Sequence, residues 1–133
     1  MAGLEVHLVT PEREVWAGEA DFVTARGVDG DLGVLPGHAP LLAALAVGPV
    51  FIDAGGSRTA VVVDGGFLHV AHDDDITRVD ILAEHALLSD ELGQDSAESR
   101  EQRAEELRSE DRLEEAREEQ AKADVRRRVA ENG

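Results

Sequence analysis

Histidine and aspartate side chains cluster in one short stretch of the sequence, HVAHDDD, which runs from His69 to Asp75. Imidazole nitrogens and carboxylate oxygens are ligands that zinc and related metal ions prefer in proteins. His7 and His38 lie in other segments, which a β-sheet fold would be able to bring close. One alternative for this chain is therefore a small metal-dependent β-barrel hydrolase that uses His7, His38, His69 and His72.

The spacing within this stretch argues against a metal site. His69 and His72 are three residues apart, and successive side chains of a β-strand face opposite sides of a sheet, so these two imidazoles are expected to diverge. Consecutive aspartates after a strand are more typical of a solvated turn. The chain has no cysteine, which removes thiolate ligands and thiol nucleophiles. We expect no metal, no cofactor and no catalytic residue.

The glycine-rich stretch GVDGDLG, residues 27–33, is the second chemical candidate. Its glycines recur every third residue rather than in the dinucleotide-binding pattern, and it lacks the Lys-Ser/Thr pair of a phosphate-binding loop. Asp29 and Asp31 would repel a phosphate group. The formal charge of −16, from 29 acidic and 13 basic residues, disfavours a nucleic-acid partner in the same way. The pattern predicts turns and no nucleic-acid binding.

Residues 1–88 have the pattern of short β-strands. Apolar or alternating runs are separated by Gly, Pro and Asp clusters at intervals of roughly ten residues, which is typical of a β-sandwich or barrel. The runs are LEVHLV, ADFVTAR, LLAALAV, PVFIDA, TAVVVD, GFLHVA and ITRVDILA. DAGGS (residues 53–57) predicts a hairpin and DGG (64–66) another tight turn. No long helical pattern interrupts them, so we expect a mainly antiparallel sheet.

Residues 89–133 have a helical pattern instead, with 24 of 45 residues charged and no proline. Asp95 followed by Glu98, and Asp111 followed by Glu114, resemble capping boxes and predict helices near 96–108 and 112–130. Apolar residues are few, so we expect a hairpin that docks weakly on the first domain or detaches to bind a partner. The predicted fold is an all-β N-terminal sandwich (1–88) followed by a C-terminal α-helical hairpin (89–133).

The stretch GDLGVLPGHAP, residues 30–40, is predicted to be a shaped surface loop. Glycines permit positive φ angles, and proline fixes φ and removes a hydrogen-bond donor. The residues that would shape the loop are Gly30, Gly33, Pro36 and Gly37. A rigid loop of this kind would present Asp31 and His38 to a partner.

The same stretch resembles a known family. GDLGVLPGHAPLLAAL (30–45) is similar to the most specific segment of the epsilon subunit of F-type ATP synthases, and DGGFLHV (64–70), ITRVDILAEHA (76–86) and VWAGEADFV (15–23) are similar to other segments. The resemblance implies a non-catalytic subunit of the central rotor stalk that joins the gamma subunit to the c-ring. It also implies that the hairpin can extend into the alpha/beta catalytic head and inhibit ATP hydrolysis, as it does in many relatives.

The resemblance carries over to individual positions. Asp31 and His38 would face the c-ring, and Thr10, Leu41 and Leu42 would face the gamma subunit. If the hairpin inhibits, the basic residues near its end would contact acidic surface on the catalytic head; these are Arg126, Arg127 and Arg128. The N-terminal segment lacks the pattern of a signal peptide, so the implied location is the cytoplasmic face of the bacterial plasma membrane, peripherally bound through the complex.

One departure from the family concerns ATP. Some relatives bind ATP through a motif that reads Ile/Leu-Asp-x-x-Arg-Ala at the start of the first helix. The matching stretch here is LGQDSA (92–97), in which Gly93 replaces the aspartate and Ser96 replaces the arginine. Because a phosphate group needs a cation, we expect weak or no ATP binding by the isolated chain.

Overall fold

The computed structural model describes residues 3–92 and 96–132 of the chain. Eight strands come first, followed by a short 3₁₀ turn over Ser89–Glu91 and two helices. The strands are β1 (Leu4–Val9), β2 (Glu14–Ala20), β3 (Phe22–Gly27), β4 (Gly30–Val34), β5 (Leu41–Ala54), β6 (Ser57–Asp73), β7 (Ile76–Ala83) and β8 (Ala86–Leu88), and the helices are α1 (Ala97–Ser109) and α2 (Leu113–Asn132). The predicted β-sandwich followed by a helical hairpin is confirmed.

The strands hydrogen-bond in the order β2-β1-β7-β6-β5-β3-β4, with β8 also paired to β6. β5 and β6 are long enough to belong to both layers of the sandwich. The halves of β5 and β6 next to the hairpin at residues 55–56 form one layer with β3, β4 and β8. The other halves form the second layer with β7, β1 and β2. Every pairing among these strands is antiparallel except that of β1 with β7.

The core lies between the two layers and follows from alternation along the strands. In β1, Leu4, Val6 and Leu8 are buried while the residues between them are partly exposed. Residues of β7 and the second half of β6 alternate in the same way, and Val50 and Ile52 close the core from the other layer. Burial of large aliphatic side chains is the main stabilising contribution of this domain.

Two predicted strand breaks are wrong. LLAALAV and PVFIDA form the single strand β5, which continues through Gly48 and Pro49, and TAVVVD and GFLHVA form β6. The DGG segment therefore bends a strand instead of ending one. Gly65 and Gly66 have φ angles of 97° and 140°, which allow β6 to cross from one layer to the other without losing its pairing with β5.

The predicted surface loop over 30–40 is only partly a loop. Residues 30–34 form β4, an edge strand paired with β3, and the turn is confined to the residues between β4 and β5. Gly30 and Gly37 have the positive φ angles expected of them, at 135° and 88°. Gly33 does not; it leaves room for the Phe22 ring, which would lie 3.1 Å from a Cβ atom at this position.

The helices lie close to their predicted positions, but their caps differ from the prediction. Ser96 caps α1 by accepting a hydrogen bond from the Ser99 backbone N–H at 3.3 Å, whereas Asp95 lies outside the described residues. Asp111 does not cap α2. It has a φ of 61° and ends α1 in a Schellman arrangement, in which the N–H groups of Asp111 and Arg112 donate to the carbonyls of Arg108 and Leu107.

Candidate partner-binding surfaces

Large apolar side chains are exposed on the outer face of the layer that contains β1 and β7. Leu42 is 68% exposed, Leu82 54% and Phe67 53%. Phe67 stands opposite Leu82 on β7 and opposite Ala44 on β5, so these strands present their apolar side chains as one strip, which we call the outer strip (Leu42, Ala44, Phe67, Leu82). Contiguous exposed apolar surface of this kind marks a site of protein–protein contact.

A groove of about 350 Å³ continues the outer strip towards the turn between β1 and β2. Val9, Thr10 and Pro11 form one wall, and Phe67 and Leu82 form the other. Thr10 also shapes the turn, because its hydroxyl accepts hydrogen bonds from the backbone N–H groups of Glu12 and Arg13, both at 3.3 Å. Thr10, predicted to face the gamma subunit, thus lies beside the outer strip.

Leu41 and Leu42 were predicted to share one role, but neighbouring residues of a strand face opposite sides. Leu42 stands opposite His69 on the outer face and is largely exposed. Leu41 stands opposite Val70 and packs against the core. Of the two, Leu42 therefore has its side chain exposed on the outer face, and Leu41 supports the strand from behind.

His38 lies at one end of the sandwich, in a turn that the neighbouring strands hold in place. The Gly37 N–H donates to the Thr77 hydroxyl at 2.8 Å, and the His38 N–H donates to the Leu35 carbonyl at 3.0 Å. The His72 imidazole bonds to the His38 carbonyl. The segment 36–38 therefore forms one polar end surface with Asp73, the last residue of β6, and the β6–β7 turn at Asp74 and Asp75.

Asp31 lies elsewhere. It stands in register with Arg26 of β3, with 3.7 Å between the carboxylate and guanidinium groups, and lines a small cleft with Phe51 and Arg128. Val34 lies three positions after Asp31, roughly 10 Å further along β4, and the turn to His38 begins only after it. Asp31 thus lies near the start of β4 and His38 beyond its end, and the structure does not bring them together.

The four histidines of the hydrolase alternative do not converge. His7 and His69 stand on either side of Asp80, on β1 and β6, whereas His38 and His72 lie at the end of the sandwich. Within residues 3–92 and 96–132, no group of three or more His, Cys, Asp or Glu side chains is arranged to hold a metal ion. The geometry of these residues therefore offers no support to the hydrolase alternative.

His7 has a local acidic environment of its own. Its Nε2 lies 3.2 Å from a carboxylate oxygen of Glu5, and its Nδ1 lies 3.3 Å from one of Glu14 on β2. These two hydrogen bonds raise the pKa of His7 above its usual value, against the opposing effects of burial and of Arg78. When it is protonated, the His7 imidazole can donate to both carboxylates and thereby connect β1 and β2 at the outer face.

The opposite layer of the sandwich is covered by α2. Phe51, Val62 and Ala60 project from the outer face of β5 and β6 and pack against Leu92, Val125 and Val129. We call this contact the hairpin seam (Phe51, Ala60, Val62, Leu92, Val125, Val129). It explains the uninterrupted apolar run Ala60–Val63, since alternate residues face the main core and the seam, and both sides are buried.

The three arginines predicted to contact the catalytic head are engaged within the chain in this conformation. Arg126 is fully buried against Asp64 of β6. Arg127 forms an ion pair with Glu101 of α1, and the Arg128 guanidinium lies 5.6 Å from the centre of the Phe51 ring. Arg127 and Arg128 are nevertheless exposed, so of the three only Arg126 requires α2 to leave the sandwich before it can contact another subunit.

Sequence reasoning missed Phe67, Leu82 and Asp64. A signal existed for the first two, because each is an apolar residue at a position whose strand neighbours on the same face are polar, His69 for Phe67 and Asp80 for Leu82. An apolar residue on a strand face whose other residues are polar indicates a surface that a partner covers. Asp64 gave no such signal, since it reads as an ordinary turn residue before two glycines.

Comparison with known proteins agrees with this architecture. Residues 3–89 match the family described as the ATP synthase, Delta/Epsilon chain, beta-sandwich domain. An ATP synthase epsilon chain from Frankia casuarinae is 53% identical over 87 residues, which cover 65% of this chain and 98% of that relative. One from Thermobifida fusca is 47% identical over 105 residues, covering 77% of this chain and 74% of that relative. The chain belongs to the family of ATP synthase epsilon chains.

Solved structures share the fold. A chain of the Euglena gracilis mitochondrial ATP synthase, in a structure of its OSCP/F1/c-ring part, superimposes with a TM-score of 0.77 at 24% identity and covers 94% of this chain and 79% of that one. A chain of the Tetrahymena thermophila central stalk/c-ring structure superimposes with a TM-score of 0.53 at 22% identity, covering 67% of this chain and 69% of that one.

Neither α1 nor α2 is long and apolar enough to cross a bilayer.

Proposed function

We propose that this chain is a non-catalytic subunit of the central stalk of an F-type ATP synthase and couples proton-driven rotation of the c-ring to ATP synthesis in the catalytic head. The observation that carries the proposal is the outer strip. A family member that exposes Leu42, Phe67 and Leu82 side by side has a surface suited to permanent burial against another subunit. The gamma subunit is the proposed partner of this surface, with Thr10 at its edge and Leu41 behind it.

The polar end surface is the proposed contact with the c-ring. His38 and the acidic β6–β7 turn lie there together, and Thr77 holds the turn at Gly37 in place. Asp31 is also proposed to contact the c-ring, but only from the start of β4, away from His38. The complex would hold the subunit at the cytoplasmic face of the bacterial plasma membrane, in agreement with the bacterial sources of the relatives.

The sandwich (1–88) and the hairpin (89–133) are proposed to act as separate units, the first in coupling and the second as a mobile inhibitor of ATP hydrolysis. The Frankia relative supports this division, because 87 residues make up 98% of its length and little remains for a hairpin. On release, Arg126 would join the exposed Arg127 and Arg128 in contacting acidic surface on the alpha/beta head. The isolated chain is expected to bind ATP weakly or not at all, because Ser96, which stands where ATP-binding relatives carry an arginine, caps α1 and supplies no cation for a phosphate group. Gly93, which replaces the aspartate of that motif, lies outside the described residues.

The test uses ATP synthase catalytic head, with its gamma subunit, from which the epsilon subunit has been removed. The full chain or residues 1–88 alone is added, and binding and the rate of ATP hydrolysis are recorded together. We expect both to bind and only the full chain to slow hydrolysis. Binding of both without any slowing would reject inhibition and keep the stalk role, whereas failure of both to bind would reject the stalk role itself.

A further inference from the structure

A buried ion pair joins the hairpin to the sandwich. The Arg126 guanidinium on α2 donates to both carboxylate oxygens of Asp64 on β6, at 3.1 Å and 2.9 Å. The Arg126 side chain is 0% exposed and that of Asp64 5%. The same guanidinium donates to the Lys122 carbonyl one turn earlier at 3.1 Å, which orients it along the helix. The pair is therefore a two-bond contact of defined geometry.

The position of Asp64 on the sandwich is fixed independently of the hairpin. Its backbone N–H donates to the His85 carbonyl at 3.0 Å, and it stands opposite Val47 of β5. It also directly precedes Gly65 and Gly66, where β6 crosses from one layer to the other. The Asp64 carboxylate therefore has one fixed position on the sandwich, and that position does not depend on where α2 docks.

The rest of the hairpin seam is mainly aliphatic, apart from the Phe51 ring, over which Arg128 lies. Val125 and Val129 of α2 lie one turn apart and pack on side chains of similar shape, such as Val62 and Ala60. A shift of α2 along its axis would still place an aliphatic side chain against an aliphatic surface. It would, however, separate the Arg126 guanidinium from the Asp64 carboxylate while both stay buried, which is strongly unfavourable.

We propose that the Asp64–Arg126 pair is a releasable latch, which selects the position where α2 docks and keeps that docking reversible. Both charges lose water when α2 docks and regain it when α2 leaves, so the pair contributes much less net stability than apolar residues of the same size would. It therefore specifies one docked position without making it permanent. The proposal rests on the mobile hairpin described above and adds the residues that control its release.

Hydrogen–deuterium exchange of the full chain tests the latch. Asp64→Asn and, separately, Arg126→Met each leave one buried charge without the opposite charge that compensates it, so α2 amides should exchange about 100-fold faster or more. The double variant Asp64→Leu with Arg126→Met replaces the pair by apolar side chains, and its α2 should exchange as slowly as in the unmodified chain or more slowly. Glu101→Gln is the matched control, because it removes an exposed ion pair within the hairpin and should change exchange by a few-fold at most.

Amides of β1 and β7 serve as the folding control, since these strands lie in the main core away from the seam. A single variant that accelerates α2 while β1 and β7 stay protected supports the latch. Unchanged α2 exchange in both single variants would overturn it, as would a double variant whose α2 is as labile as in the single variants.

The same variants added to the catalytic head separate the latch from the proposed inhibition. Faster α2 exchange together with stronger inhibition would support both ideas. Faster exchange with unchanged hydrolysis would keep the latch and reject the inhibitory role of the hairpin. Unchanged exchange rejects the latch whatever the hydrolysis rate.

Discussion

Arg13 and Glu91 form a two-bond ion pair, with both nitrogen–oxygen distances at 2.7 Å, although 78 residues separate them in sequence. Arg13 lies in the turn between β1 and β2, and Glu91 lies in the 3₁₀ turn that leads to the hairpin. Glu91 also accepts a hydrogen bond from the Leu88 N–H at 2.9 Å. The start of the connection to the hairpin is thus attached to the sandwich, just before Leu92 enters the seam.

Replacing Glu91 by Gln should loosen this connection without unfolding the sandwich. Exposed ion pairs contribute little to global stability, so we expect a nearly unchanged melting temperature but faster limited proteolysis after residue 88. Asp90→Gln, at the neighbouring exposed acid, is the control and should leave the cleavage rate unaltered. Equal cleavage of the Glu91 variant and the unmodified chain would show that the pair does not hold the connection.

The attachment should also weaken in acid. The hydrogen bonds from Arg13 and then from Leu88 lower the pKa of Glu91 below its ordinary value of 4.5. A carboxylate with a lowered pKa in the folded state stabilises that state above its unfolded pKa, and this contribution disappears as the pH falls through the folded value. Proteolysis after residue 88 by an acid-stable protease should therefore accelerate as the pH drops below about 4.5, and less so in the Glu91→Gln variant.

His7 should titrate above its ordinary value of 6.5, because Glu5 and then Glu14 hydrogen-bond to its ring. A raised pKa means that His7 stabilises the fold fully below the unfolded pKa and loses this effect as the pH rises through the folded one. The chemical shift of the imidazole proton in an NMR titration measures this directly. Glu14→Gln should lower the His7 pKa, whereas Glu12→Gln, in the adjacent turn, should not.

The outer strip should be required for binding to the gamma subunit. Phe67→Ala combined with Leu82→Ala removes the centre of the strip, and we expect affinity for a gamma-containing catalytic head to fall at least tenfold, because central apolar residues dominate interface energies. Leu113→Ala is the matched control, since Leu113 is equally apolar and 51% exposed but lies at the start of α2. A double variant that binds as well as the Leu113 variant would place the gamma contact elsewhere.

Gly66 should tolerate no side chain. Its φ is 140°, and a Cβ atom there would lie 2.1 Å from the Leu82 carbonyl oxygen. Gly66→Ala should lower the free energy of unfolding by about 3 kcal/mol or more, because the β6 bend and its pairing with β7 must both shift. Gly37→Ala is the comparison, with a φ of 88° but nothing within 4 Å of the added atom, and should cost only about 1–2 kcal/mol. Denaturant titration of both variants measures the difference.

The sequence by itself determined the class of fold and most of its elements. Alternation in LEVHLV and ITRVDILA predicts β1 and β7 with their observed bounds, because residues of one strand must divide between a core and a solvent face. The change to a charged, proline-free composition predicts the helical hairpin. Family resemblance carried by residues 30–45 and 64–70 identified the ATP synthase epsilon chain, since it depends on specific local segments.

Only the tertiary structure decided which strands continue, which faces are covered and which charges meet. A local pattern cannot tell a bend from a turn, so DGG was expected to end a strand that in fact continues through it. Nor can a local pattern show that a strand separates Asp31 from His38: the segment predicted to be one loop contains β4, which begins beside Asp31 and ends before the turn at His38. The pairing of Asp64 with Arg126 joins residues 62 positions apart, and such contacts arise only when packing brings two faces together.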